Sequence, residues 1–143
     1  MVIKFIKDVG FLLDKLGIVY TFSGDETFIS TCFGDENNST FIIFNIVENH
    51  WLYISAVFLV QNPVTDDEKL CLFYKKLLIE NNYTKMGRFF IDEEGLIRFG
   101  TDILLSAVNE EILKESIDLI LYFVEKRLPE IGDPYVDLLF SKK

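Results

Sequence analysis

Cysteine is scarce in this chain: Cys32 and Cys71 are the only two among 143 residues. They form no CxxC motif and no metal-ligand spacing, which excludes a disulfide scaffold and a thiolate metal site. One falls in an expected strand and the other in an expected helix, where they read as buried free thiols of a reducing compartment. Basic residues are few as well. Fourteen Lys and Arg stand against twenty-three Asp and Glu, giving a formal net charge of −9. The densest basic pairs are Lys75 with Lys76 and Lys142 with Lys143. Phosphate neutralisation needs more than that, so no nucleic acid partner is expected. The same shortage argues against an anionic membrane surface. An acidic surface favours basic or neutral partners.

Long hydrophobic runs are also missing. The longest, residues 51–60, is too short to span a bilayer as a helix. Lys4, Lys7 and Asp8 interrupt the apolar N-terminal stretch, which speaks against a signal peptide. A soluble cytoplasmic protein is the expectation.

Catalytic motifs are absent in the same way. No glycine-rich phosphate loop, GxSxG or HExxH pattern occurs. His50 is the only histidine, and it falls in an expected hairpin turn beside Trp51, a poor place to shield proton transfer. Asp92, Glu93, Glu94 and Gly95 lack the alternating oxygen ligands and distal Glu of a calcium loop, so they read as a solvated turn. The acids at 25–26 and 35–36 read as ordinary loop residues. The residues nominate no catalytic group, cofactor site or metal ligand, and the chain is not expected to be an enzyme.

What is present is apolar and aromatic. Half of the chain is hydrophobic and fourteen residues are Phe, enough to build one domain over residues 1–143 without staples. The organising stretch is 65–105. Thr65 and Glu68 have capping-box spacing. Leu70, Phe73, Tyr74, Leu77 and Leu78 then form one helical stripe, which Asn81 and Asn82 end by tolerating a left-handed conformation. A hairpin follows, 87–91 against 96–99, with Gly95 placed to supply a positive φ.

Before this unit, Val2, Ile6, Val9, Leu13 and Leu16 mark an amphipathic first helix stopped by Gly17. Strands are expected at 19–22, 27–33, 41–47 and 51–60. Phe41 to Phe44 and Val57 to Val60 are apolar on both faces, where an antiparallel sheet with one wet face should alternate. Something covers both faces: helices one, and a second copy or another partner part of the other. After the hairpin, residues 103–105 extend the last strand. Asn109 caps a helix that is apolar all round from Leu119 to Val124, the mark of burial on several sides or of an interface. Pro129 ends that pattern, and Tyr135, Leu138, Leu139 and Phe140 suggest a closing turn. The fold class is α+β: helix, three to four antiparallel strands, helix, β-hairpin and long C-terminal helix around one antiparallel sheet.

Leu77, Leu78, Asn82, the 87–90 segment, the 91–95 turn and the strand from Leu96 together resemble the YbjN-type family. There a helix runs through an Asn into a G-x-F-x-hydrophobic-D-x-x-G-hydrophobic hairpin. That family is similar in fold to the small acidic chaperones of type III secretion. The resemblance implies an α+β domain, often dimeric, that binds other proteins and carries no catalytic residues.

The leading expectation is a non-enzymatic protein-binding module, chaperone-like or regulatory, which forms a homodimer and holds a protein partner or client. Trp51, Tyr53, Tyr122 and Phe123 are the candidate contact residues, since large aromatics dominate interfaces. The same side chains also suit a core. The alternative is a small-molecule pocket between sheet and helices, lined by Phe with His50, Tyr74 or Arg98 as polar groups.

Overall fold

In the computed structural model, which describes residues 2–34, 39–58 and 67–132, the chain is α+β as expected. Helix α1 (Ile6–Lys15) leads into four strands, β1 (Thr21–Phe22), β2 (Phe28–Gly34), β3 (Ser39–Val47) and β4 (Trp51–Phe58). Helix α2 (Asp67–Glu80) precedes the hairpin of β5 (Arg88–Ile91) and β6 (Ile97–Leu104). Helix α3 (Glu110–Tyr122) passes through a π turn, Phe123–Arg127, into α4 (Leu128–Gly132). Every strand pairing is antiparallel, in the order β1-β2-β3-β4-β6-β5. The last hairpin thus docks on β4 across the intervening α2. The expected capping box at Thr65, the loop acids Asp35 and Glu36, the strand end near Asn62 and the closing turn at 135–140 lie outside the described residues.

Local chemistry sets the boundaries. The Asp8 carboxylate accepts the N–H groups of Lys4 and Phe5 at 3.0 Å each, which satisfies donors ahead of α1. Gly17 ends that helix at φ +72°, as its sequence position suggests. The stripe starts later than Val2, which is exposed and precedes the helix. The β3–β4 turn places Glu48 and Asn49 at φ +55° and +54°, the double left-handed geometry of a type I′ hairpin, with His50 N–H donating to Val47 O. Asn109 caps α3 as expected, its side chain accepting the Ile112 N–H at 2.8 Å.

One face of the sheet carries the core. Ile29, Ile42, Phe44, Leu52, Ile54 and Phe99 are fully buried there, against Val9 and Leu13 of α1, Leu113, Ile117 and Ile120 of α3, and Val124 and Leu128 beyond it. Phe73 and Leu77 of α2 join this core, whereas Leu78 is 66% exposed and leaves the predicted stripe.

Three expectations need correction. Cys32 and Cys71 are exposed, not buried, because Cys32 points to the opposite face of the sheet and Cys71 to the outer side of α2. Neither Asn81 nor Asn82 is left-handed; Asn81 acts through its side chain instead, donating from Nδ2 to Phe89 O at 2.9 Å and accepting Phe89 N–H on Oδ1 at 2.7 Å. Pro129 does not end the helix. An α turn would jam its ring against the carbonyl four residues back, and the wider π turn just before it, closed by Leu128 N–H to Phe123 O, relieves that clash.

The β5–β6 turn is built on one carboxylate. Asp92 Oδ1 accepts the N–H groups of Glu94 and Leu96 at 2.9 Å, Gly95 turns at φ +81°, and Oδ2 meets Arg98 Nε at 2.5 Å. The Arg98 guanidinium, foremost, holds the Asp92 carboxyl below its ordinary value; partial desolvation opposes it and the two N–H groups reinforce it. A folded pKa below the unfolded one, about 3.9, gives stabilisation that is full above the unfolded value. It is lost as pH falls through the folded value. Acid is therefore expected to lower the protection of the Leu96 amide, measured as its exchange relative to the intrinsic rate at each pH, and Asp92→Asn to flatten that acid dependence. An Asp92→Asn hairpin that still loosens in acid like the parent would place the titrating group elsewhere.

Candidate functional site

The face of the sheet opposite the helices is where side chains with chemistry gather in the open. Strand alternation puts every second residue there, and the pairing register stacks them in rows. Val47, Trp51 and Leu104 form one row, Asn45, Tyr53 and Asp102 the next, and Ile43, Ser55, Gly100 and Arg88 the third. Arg98 and Phe90 stand side by side beyond them. Trp51, Val47 and Leu104 are all partly exposed.

Small residues let the larger ones lie down. A side chain at Gly100 would stand 2.9 Å from Ile54 O and 3.3 Å from Tyr53 Cε2, so glycine is what leaves room for the Tyr53 ring over β6. Tyr53 then approaches Phe90 with ring centroids 6.1 Å apart. Burial pushes its phenol above the ordinary tyrosine value. The neighbouring Ser55 hydroxyl is buried and makes no hydrogen bond of normal geometry to the described residues. Arg88 Nη2 reaches Asp102 Oδ2 at 3.2 Å while its guanidinium lies 5.6 Å from the Phe90 ring centre. His50 sets its ring edge-on to Trp51 at 5.4 Å, so this turn histidine packs on the indole as its position suggests. Between these groups lies a shallow cleft of about 370 Å³ lined by Val47, Trp51, Tyr53 and Asp102.

The four sequence-predicted contact residues part company. Trp51 and Tyr53 stand next to each other on the open face. Tyr122 is 51% exposed on the outer side of α3, away from them. Phe123 is 8% exposed and stacks on Phe99 at 4.6 Å and 15°, so in this chain it is a core residue. The polar trio weighed for a small-molecule pocket does not converge. His50 adjoins the Trp51–Leu104 end of the β4–β6 ladder, whereas Arg98 pairs with Val57 near the other end. At ~3.3 Å per residue the two ends are roughly 20 Å apart. Tyr74 belongs to a separate apolar hollow between α2 and β5, with Leu77, Leu78, Phe89, Phe90 and Ile91.

Asp102, Arg88, Leu104 and Gly100 are the site residues that sequence reasoning missed. The signal was the two-residue alternation of Arg98, Gly100, Asp102 and Leu104 along β6, but its meaning depends on β6 lying beside β4. Among the described residues no three of His, Cys, Asp or Glu come together to hold a metal ion. No helix there is long and apolar enough to cross a membrane.

Comparison with known proteins agrees with the helix–hairpin signature. No curated protein matches the chain. The family model of YbjN, described as "Putative bacterial sensory transduction regulator", matches residues 10–131. That span runs from within α1 into α4 and takes in every strand, the Asn81 bridge, the Asp92 turn and the open face, and so the chain belongs to the YbjN family.

Proposed function

We propose that this chain is a regulatory protein-binding module of the cytoplasm, a single non-enzymatic domain that holds a protein partner on the open face of its sheet. The observation that carries the reading is the apolar, aromatic content of that face. Val47, Trp51, Tyr53, Phe90 and Leu104 surround only a few charged groups, and those are already paired as Arg88–Asp102 and Arg98–Asp92. Exposed apolar patches rimmed by polar groups mark interaction sites. The description of the family as a regulator supports the same direction. A chaperone-like role, with an extended client segment laid along this surface, is the form of binding that such a face suits. We further propose a homodimer whose contact lies on the helical side around Tyr122, which leaves the sheet face free for the partner.

Two measurements test this. A partner captured from the native host should be recovered about tenfold less by Trp51→Ala, as befits an aromatic anchor, with the circular dichroism spectrum unchanged. Recovery that ignores the substitution would remove the open face from consideration. Light scattering should give twice the chain mass, reduced to one chain by Tyr122→Asp; a monomeric parent would rule out the dimer.

A further inference from the structure

We infer that the cleft between Trp51, Tyr53 and Asp102 is a receptor for a cationic side chain, arginine or lysine, presented by a basic segment of the protein partner. The inference rests on the protein-binding reading of the open face and specifies what is bound there. Three features of the cleft combine. Its walls are aromatic, and the electron-rich faces of Trp and Tyr attract a guanidinium or ammonium placed over them. Trp51 is held by the His50 ring on one side, and Tyr53 by Phe90 and the floor at Gly100, so both rings are set before anything binds. A carboxylate closes the cleft. Arg88 Nη2 engages only Oδ2 of Asp102, and among the described residues Oδ1 takes no hydrogen bond. A carboxylate with one oxygen spare can accept a second cation.

The Arg88–Asp102 pair is itself exposed, with side chains 51% and 38% accessible, so water already competes for it and an incoming cation displaces little. Long-range charge acts the same way. A chain of net charge −9 draws a basic segment toward its surface and repels an acidic one. An aliphatic occupant would find the Val47 side of the cleft suitable but would leave Asp102 Oδ1 without a partner.

Trp51 is the only tryptophan, so its fluorescence reports on this cleft alone. The full chain is titrated at low ionic strength with three tripeptides blocked at both ends, Gly-Arg-Gly, Gly-Lys-Gly and Gly-Gln-Gly. The arginine and lysine peptides should change Trp51 emission saturably, and the glutamine peptide should not. Asp102→Asn should weaken the arginine peptide by about tenfold, and Tyr53→Leu should weaken it with the apolar volume largely kept. Equal response to the glutamine peptide, or an Asp102→Asn affinity equal to the parent's, overturns the inference. The partner capture separates the two ideas. Loss of partner in Trp51→Ala with no preference for cationic peptides keeps the binding face and discards the cation receptor. Saturable arginine binding without any protein partner does the reverse.

Discussion

Phe123→Ala is expected to destabilise the fold by about 3–5 kcal/mol, the usual cost of emptying a buried phenylalanine site, and Phe123→Asp to prevent folding. The ring is one of three that pack as a unit on the helix side of the sheet. It stacks on Phe99 at 4.6 Å and meets Phe89 edge-on at 6.0 Å, while Phe89 and Phe99 meet at 4.8 Å and 69°. Offset stacks and edge-to-face pairs each contribute roughly 0.5–1.5 kcal/mol beyond the area they bury. Removing Phe123 therefore takes both of these contacts, and its edge-on contact with Tyr122, along with the transfer energy, and the neighbours cannot close the gap without pulling β5 and β6 toward the helix. Set against a typical domain stability of about 5–15 kcal/mol, the loss is large. Tyr122, the residue before it, is the contrast: it is exposed, so Tyr122→Ala should leave the core of the single chain intact and act on the mass of the assembly instead. A Phe123→Asp protein that stays folded and merely changes mass would show that the ring serves an interface and not the core.

This contrast between neighbours shows what could be read in the sequence and what could not. The helix around Leu119 to Val124 looks apolar on every side, yet its environment differs by residue: Ile120, Phe123 and Val124 face the core, Leu119 and Leu121 lie on the flanks, and Tyr122 faces out. Only the packing partners settle that. Features written into a few adjacent residues were legible, as with Gly17, Gly95 and the Asn109 cap, because φ preference and capping are local physics. The candidate site was legible only in part, since Asp102 and Gly100 reach it only through the pairing of β4 with β6, a contact between distant parts of the chain. The strands with apolar residues on both faces were expected to be covered on both. The helices cover one of those faces, and Phe41 on the other is exposed.

Asn81→Ala is expected to cost about 2–4 kcal/mol, from two groups that each lose roughly 1–3 kcal/mol when a buried hydrogen bond is stripped, with some recovery by water. Position 81 follows α2 directly, and β5 lies at the edge of the sheet. An edge strand offers backbone N–H and C=O groups in a row, ready to pair with another chain. Here the Asn81 amide takes both from Phe89, donating to its oxygen and accepting from its nitrogen, as a neighbouring strand would. Thr84 continues the seal by donating its hydroxyl to Gly87 O. The same two bonds fasten the end of α2 to the hairpin, so the substitution should loosen helix and edge together. Faster exchange of the Phe89 amide and mass that rises with concentration are the expected readings. Asn81→Asp discriminates further: it keeps the acceptor for Phe89 N–H but sets a carboxylate against Phe89 O, so it should also destabilise, despite nearly identical size. If both variants keep the parent's Phe89 protection and urea midpoint, the bridge contributes nothing, and the edge must be guarded by the packing of Phe73 and Leu77 alone.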